Sequence, residues 1–184
     1  MQHRFMLRVV LAIWLTWFCI GCDRTRINES YWAEQGAAAV QPLKKNLKKA
    51  LATGLAEGPV EAVTACQVVA PSVTRGASSQ TIKVGRTSHK LRNPDNEPKF
   101  WMKPLLQAYL DHPENMSPKV IALDEDKIGY MEPIYLGPMC VTCHGTSIAP
   151  DVQARIDALY PDDQATGFEP GNFRGVFWAE LERR

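Results

Sequence analysis

Apolar residues return every three or four positions at Val40, Leu43, Leu47, Leu51 and Leu55, the stripe of an amphipathic helix. Lys44, Lys45, Lys48 and Lys49 fall on the opposite side as a solvated face, and Gly58 stops the helix. Pro59 suits the first turn of a second helix, where Val60, Val63, Cys66 and Val69 share one face and Pro71 marks the end. Residues 81–87 alternate, with Ile82 and Val84 on one side and Lys83 on the other, and predict a strand. The run Arg92-Asn93-Pro94-Asp95-Asn96-Glu97-Pro98 is turn chemistry, and residues 100–110 form a short helix. Residues 119–123 and 128–136 pair as strands around Asp124-Glu125-Asp126, residues 151–159 are helical, residues 160–174 are a turn-rich loop, and residues 175–181 are a last strand. In this order neighbouring strands can run antiparallel. The chain therefore predicts an α+β domain, an antiparallel sheet flanked by helices and preceded by a long N-terminal helix.

The chain has 184 residues, 45% apolar and 22% charged, which suits one folded domain. Lys plus Arg total 21 and Asp plus Glu 20, a balance that excludes a strongly basic nucleic-acid binder, so no nucleic-acid partner is expected. Arg4 and Arg8, then an almost unbroken apolar run from Val9 to Ile20, describe a signal peptide over residues 1–21. The run falls short of the roughly 20 apolar residues of a membrane span. Cys19-Ile20-Gly21-Cys22 resembles a bacterial lipobox, although Cys19 stands where Leu is usual. That resemblance implies a lipid anchor on Cys22 and, with Asp23 after it, retention at the inner membrane facing the periplasm. Residues 22–39 read as a polar linker and residues 40–184 as the domain.

Five cysteines are too few for a disulfide scaffold, so their positions carry the information. Cys140-Val141-Thr142-Cys143-His144 is a C-x-x-C-H sequence, the attachment signature of one c-type haem. Two thiols about one turn apart reach the two vinyl groups of a single porphyrin, and the adjacent histidine is carried beneath the iron. Such attachment occurs outside the cytoplasm, in keeping with the leader. Three other readings compete. A thioredoxin-like pair belongs at the start of a helix after a strand, a zinc site needs a second ligand pair, and a disulfide closing two residues is a weak staple. For the second axial ligand, residue types alone leave His89, His112, Cys66, Met102, Met116, Met131 and Met139 open.

Several blocks together resemble a known family: Glu61-Ala62-Val63-Thr64-Ala65-Cys66-Gln67-Val68-Val69-Ala70-Pro71, then Gly85-Arg86-Thr87-Ser88, then residues 91–98, Pro133-Ile134 before the C-x-x-C-H-Gly145 run, and residues 160–168. The family is the mono-haem c-type proteins with a PAS-like fold, which also occurs as an extracytoplasmic haem domain of bacterial signalling proteins. The resemblance spans residues 43–181. It implies a PAS-like sheet and iron held by His144 and by a cysteine of the second helix, Cys66. A thiolate there favours ferric iron and a low reduction potential, and its loss on reduction would open a coordination position. Arg86 and Arg92 are candidates for the haem propionates, because arginine forks match carboxylates, and Lys90 is a weaker one. Ser88, His89 and Asn93 are candidate hydrogen-bond donors around the haem.

The expected function is electron transfer or redox sensing by a periplasm-facing haem protein, working with a redox or signalling partner. Diatomic-gas sensing of CO, NO or O2 is one alternative, and haem-free thiol–disulfide chemistry is another. Catalysis is not expected: a peroxidase would need an open distal side and a base such as His89 or His112, and no motif requires it.

Overall fold

The computed structural model describes residues 27–183; the leader and Cys22 lie outside the described residues. Five helices surround a four-stranded, fully antiparallel sheet, as the α+β expectation had it. The helices are α1 (Glu29–Glu57), α2 (Pro59–Gly76), α3 (Lys103–Asp111), α4 (Val141–His144) and α5 (Pro150–Leu159). The strands are β1 (Ile82–Thr87), β2 (Lys119–Ala122), β3 (Lys127–Tyr135) and β4 (Phe173–Glu182), in the spatial order β1-β4-β3-β2. Among the described residues no helix is long and apolar enough to cross a membrane.

Helix α1 begins well before the Val40 stripe, so much of the expected linker is helical. Asn28 caps it, its side chain accepting from the Tyr31 N–H at 3.1 Å. The early turns are held by packing: Trp32 and Ala33 lie against the core, and Gly36 sits directly on the Tyr130 ring. A Cβ at Gly36 would come within 2.2 Å of that ring, so only glycine lets helix and sheet approach this closely. Val40, Leu43, Val84, Ile128, Tyr130, Ala179 and Leu181 form the core between α1 and one sheet face. The Tyr130 hydroxyl donates to Glu132 at 2.7 Å, and Glu132 pairs with Lys44 of α1 at 2.5 Å. Lys44 thus belongs to the helix–sheet contact, not to the solvated lysine face.

Gly58, at φ 137°, turns the chain between α1 and α2, and the two helices pack as an antiparallel hairpin. Helix α2 does not stop at Pro71 but continues to Gly76. Pro71 is an exposed residue, as is Gln67, whose carbonyl it deprives of a donor, so water can take the missing hydrogen bond. On the other sheet face, Met102, Leu106, Tyr109, Met131, Phe173 and Val176 form a second core under α3. A third, smaller core of Val63, Val152, Ile156 and Tyr160 joins α2 to α5, with Cys143 at its margin. The functional residues gather there.

Candidate functional site

Pro138 opens a 3-10 turn over Pro138–Cys140 that runs into the single helical turn α4. This short coil brings Cys140, Cys143 and His144 together, all partly buried, with both thiols free. Gly145 ends the turn, its N–H donating to the Val141 carbonyl at 2.9 Å. A Cβ at Gly145 would meet that carbonyl at 2.5 Å, which is why a glycine follows the histidine.

The loop between α5 and β4 is then zipped along α4 by backbone bonds. The Phe168 N–H donates to the His144 carbonyl at 3.0 Å and the Gly167 N–H to the Gly145 carbonyl at 2.9 Å. Within this cradle His144 Nδ1 lies 2.6 Å from the Ala165 carbonyl. Because a carbonyl only accepts, the proton is on Nδ1, and the Nε2 lone pair is left for a metal. Burial, with Arg92 and Arg174 nearby, drives the His144 pKa down to about 3, so the ring is neutral at ordinary pH. The Phe168 ring meets His144 edge-on, centroids 6.5 Å apart.

Cys66 faces the site from α2. It lies within electrostatic reach of Cys143, Arg86, Arg92 and Tyr160. Burial pushes its thiol up while Arg86 and Arg92 pull it down. Burial likewise pushes the Cys143 thiol up. Arg86 extends from the end of β1 toward Cys66, and among the described residues no acceptor binds its guanidinium. Arg92 is otherwise engaged. Its Nε and Nη2 hold Asp163 at 3.2 and 3.0 Å, and Nη2 also donates to the Cys143 carbonyl at 2.6 Å and to Ala165 at 3.4 Å. As the candidate propionate partner that the sequence offered, Arg92 has only its Nη1 uncommitted among the described residues.

Other sequence candidates are placed elsewhere. Ser88 is buried against Arg174, donating to its carbonyl at 2.5 Å and accepting from its guanidinium at 2.6 Å. Asn93 caps its own 3-10 turn, and the Lys90 ammonium reaches the Thr166 carbonyl at 3.3 Å over the Phe168 ring. His112 is exposed beside Glu114 at the end of α3. Met102 and Met131 are core residues, whereas Met116 and Met139 are exposed. Asp163, Ala165 and Tyr160 lie in the 160–168 block that carries the family resemblance but were given no site role there, and Ala165 acts through its backbone, which no residue type announces.

His89 stacks on Phe173 at 5.8 Å, and its buried Nδ1 has no partner among the described residues. Burial, aided by Arg174 and Lys90, lowers its pKa below the usual 6.5. The unfolded chain therefore takes up this proton first. The resulting stability is present above pH 6.5 and lost as pH falls below it. His89→Phe, which keeps the stack and removes the orphan nitrogen, is expected to hold or gain about 1 kcal/mol at pH 5 and to weaken the acid dependence. Urea melts at pH 5 and 7.5 check both.

A small α+β domain thus brings an imidazole, two thiols on one turn and a third sulfur on a facing helix toward one site. The chain belongs to the Tll0287-like family, whose model matches residues 23–180. It is similar in fold to the crystal structure of the cyanobacterial heme-protein Tll0287, with a TM-score of 0.62 and 21% identity over 86% of this chain and 98% of that one. No curated protein matches the sequence.

Proposed function

We propose that this is a c-type haem protein with one covalently bound haem, facing the periplasm and tethered through a lipid on Cys22, whose PAS-like domain serves electron transfer or redox sensing. The observation that carries the reading is the His144–Ala165 hydrogen bond inside a C-x-x-C-H turn, which leaves Nε2 as a neutral donor. The residues present fit the group. Cys140 and Cys143 are free thiols on one turn, Cys66 would offer a second donor to the iron, and Arg86, whose guanidinium no acceptor binds among the described residues, would meet a propionate beside it. The family relationship and the haem protein of similar fold support it.

Haem, when bound, supplies one-electron chemistry at its iron. The protein tethers it by two sulfurs, orients the imidazole through the Ala165 carbonyl, and shields the site with Phe168 and the α2–α5 core. Thiol–disulfide chemistry is the weaker reading. A reactive redox cysteine has a lowered pKa at the start of a long helix, whereas burial raises that of Cys143 and α4 is one turn. A redox or signalling protein is the expected partner.

Cys66→Ala tests the second ligand. The ferric protein is expected to lose its low-spin thiolate spin-resonance signal and shift its Soret band while keeping full haem content; an unchanged spectrum rules Cys66 out. CO titration of the reduced wild type then separates the roles, since a carrier stays six-coordinate and a sensor binds the gas.

A further inference from the structure

Arg92 and Asp163 sit in the cradle of His144 and are both largely sheltered, with side chains 13% and 6% exposed. Their contacts converge on one residue. The Ala165 N–H donates to Asp163 Oδ1 at 2.8 Å, and the Ala165 carbonyl accepts from Arg92 Nη2 at 3.4 Å. That same carbonyl accepts from His144 Nδ1. Arg92 Nη2 also binds the Cys143 carbonyl, one residue before His144, at 2.6 Å. The pair thus fixes both ends of the hydrogen bond that orients the imidazole, the peptide carrying the acceptor and the turn carrying the ring. The segment is also anchored from behind, the Gln164 N–H donating to the Leu91 carbonyl at 2.7 Å next to Arg92.

Resting on the haem reading above, the geometry points to Arg92 and Asp163 as a positioning clamp that sets the direction and electron-donating strength of His144, and so the balance between oxidised and reduced iron. The physical chain is short. An Nδ1–H bonded to a well-placed carbonyl makes the opposite nitrogen a stronger donor. A stronger donor favours ferric iron. The guanidinium and carboxylate are opposite in formal charge, but Arg92 lowers the His144 pKa more than Asp163 raises it, so the pair contributes field as well as direction. A lysine keeps the charge but, as a point donor, cannot span both Asp163 oxygens and the two carbonyls together.

The test is Arg92→Lys in the full chain matured with haem. Haem content comes from the pyridine haemochrome, the midpoint potential from spectroelectrochemistry, and ligand geometry from ferric spin resonance. Arg92→Lys is expected to load haem as the wild type does. Its iron shifts at least tenfold toward the reduced form, a rise of about 59 mV for one electron, and its ferric resonance broadens as the imidazole loses its single orientation. A fully loaded Arg92→Lys with wild-type potential and resonance overturns the clamp and leaves the haem reading standing. Wild-type protein with no covalent haem overturns the haem reading, and the clamp with it. If Arg92→Lys fails to accumulate, Asp163→Glu, which keeps the charges but displaces the carboxylate, carries the same readouts. A rise in potential supports the clamp and unchanged values overturn it.

Discussion

Cys140→Ser with Cys143→Ser is expected to bring covalent haem to background. Both thiols are free and partly buried on the turn that ends at His144, and no other described cysteine shares that turn. Serine preserves the shape of the turn and removes only the sulfur that, on the haem reading, would bond the porphyrin. His144 keeps its bond to Ala165, so a loosely held pigment can remain, and it should leave on denaturation. Haem-stained denaturing gels and intact mass separate the two cases. Single variants retain one attachment and should give a reduced but denaturation-resistant signal. Full covalent loading of the double variant would end the haem c reading.

Gly175→Ala is expected to be the most damaging small change in the sheet. Gly175 has φ 152°, a conformation that side chains rarely adopt, and an added Cβ would lie 2.2 Å from the Thr87 carbonyl. The position adjoins the irregular register between Ile134 and Tyr135, where the edge of β4 turns toward the loop after β1. Strain and clash together predict a loss of about 3–5 kcal/mol, or roughly 6–20 °C in Tm for a chain of this size. Circular dichroism melts measure it. Gly76, at the end of α2 with nothing within 4 Å of its would-be Cβ, is the control, and Gly76→Ala should be neutral or slightly stabilising. Arg174 adjoins Gly175 and holds Ser88 and Lys90, so Gly175→Ala should also disturb the loop that carries Arg92.

Periodicity made most of the elements legible. The stripes of α1 and α2 and the alternation of β1 place Cys66 and Arg86 where they are found, because burial of an apolar face leaves little choice of register. Boundaries were lost where tertiary contact overrode local signals. Residues 29–39 have no broad apolar stripe, yet Asn28 caps them and Gly36 beds on Tyr130. Pro71 reads as a stop but falls on an exposed side where a helix tolerates it. The C-x-x-C-H turn was visible because its chemistry is written in side chains. Its cradle was not, because the decisive acceptors are the carbonyls of Cys143, His144, Gly145 and Ala165, which any residue supplies.

The strand made last in the chain, β4, lies between β1 and β3 rather than at a margin. Until it inserts, the earliest strand has no neighbour and the loop that grips His144 has no frame. The cysteine turn is therefore complete as a stretch of polypeptide before the architecture that encloses it can close. On the haem reading, its sulfurs stay open to attachment during that interval, and folding then encloses the product.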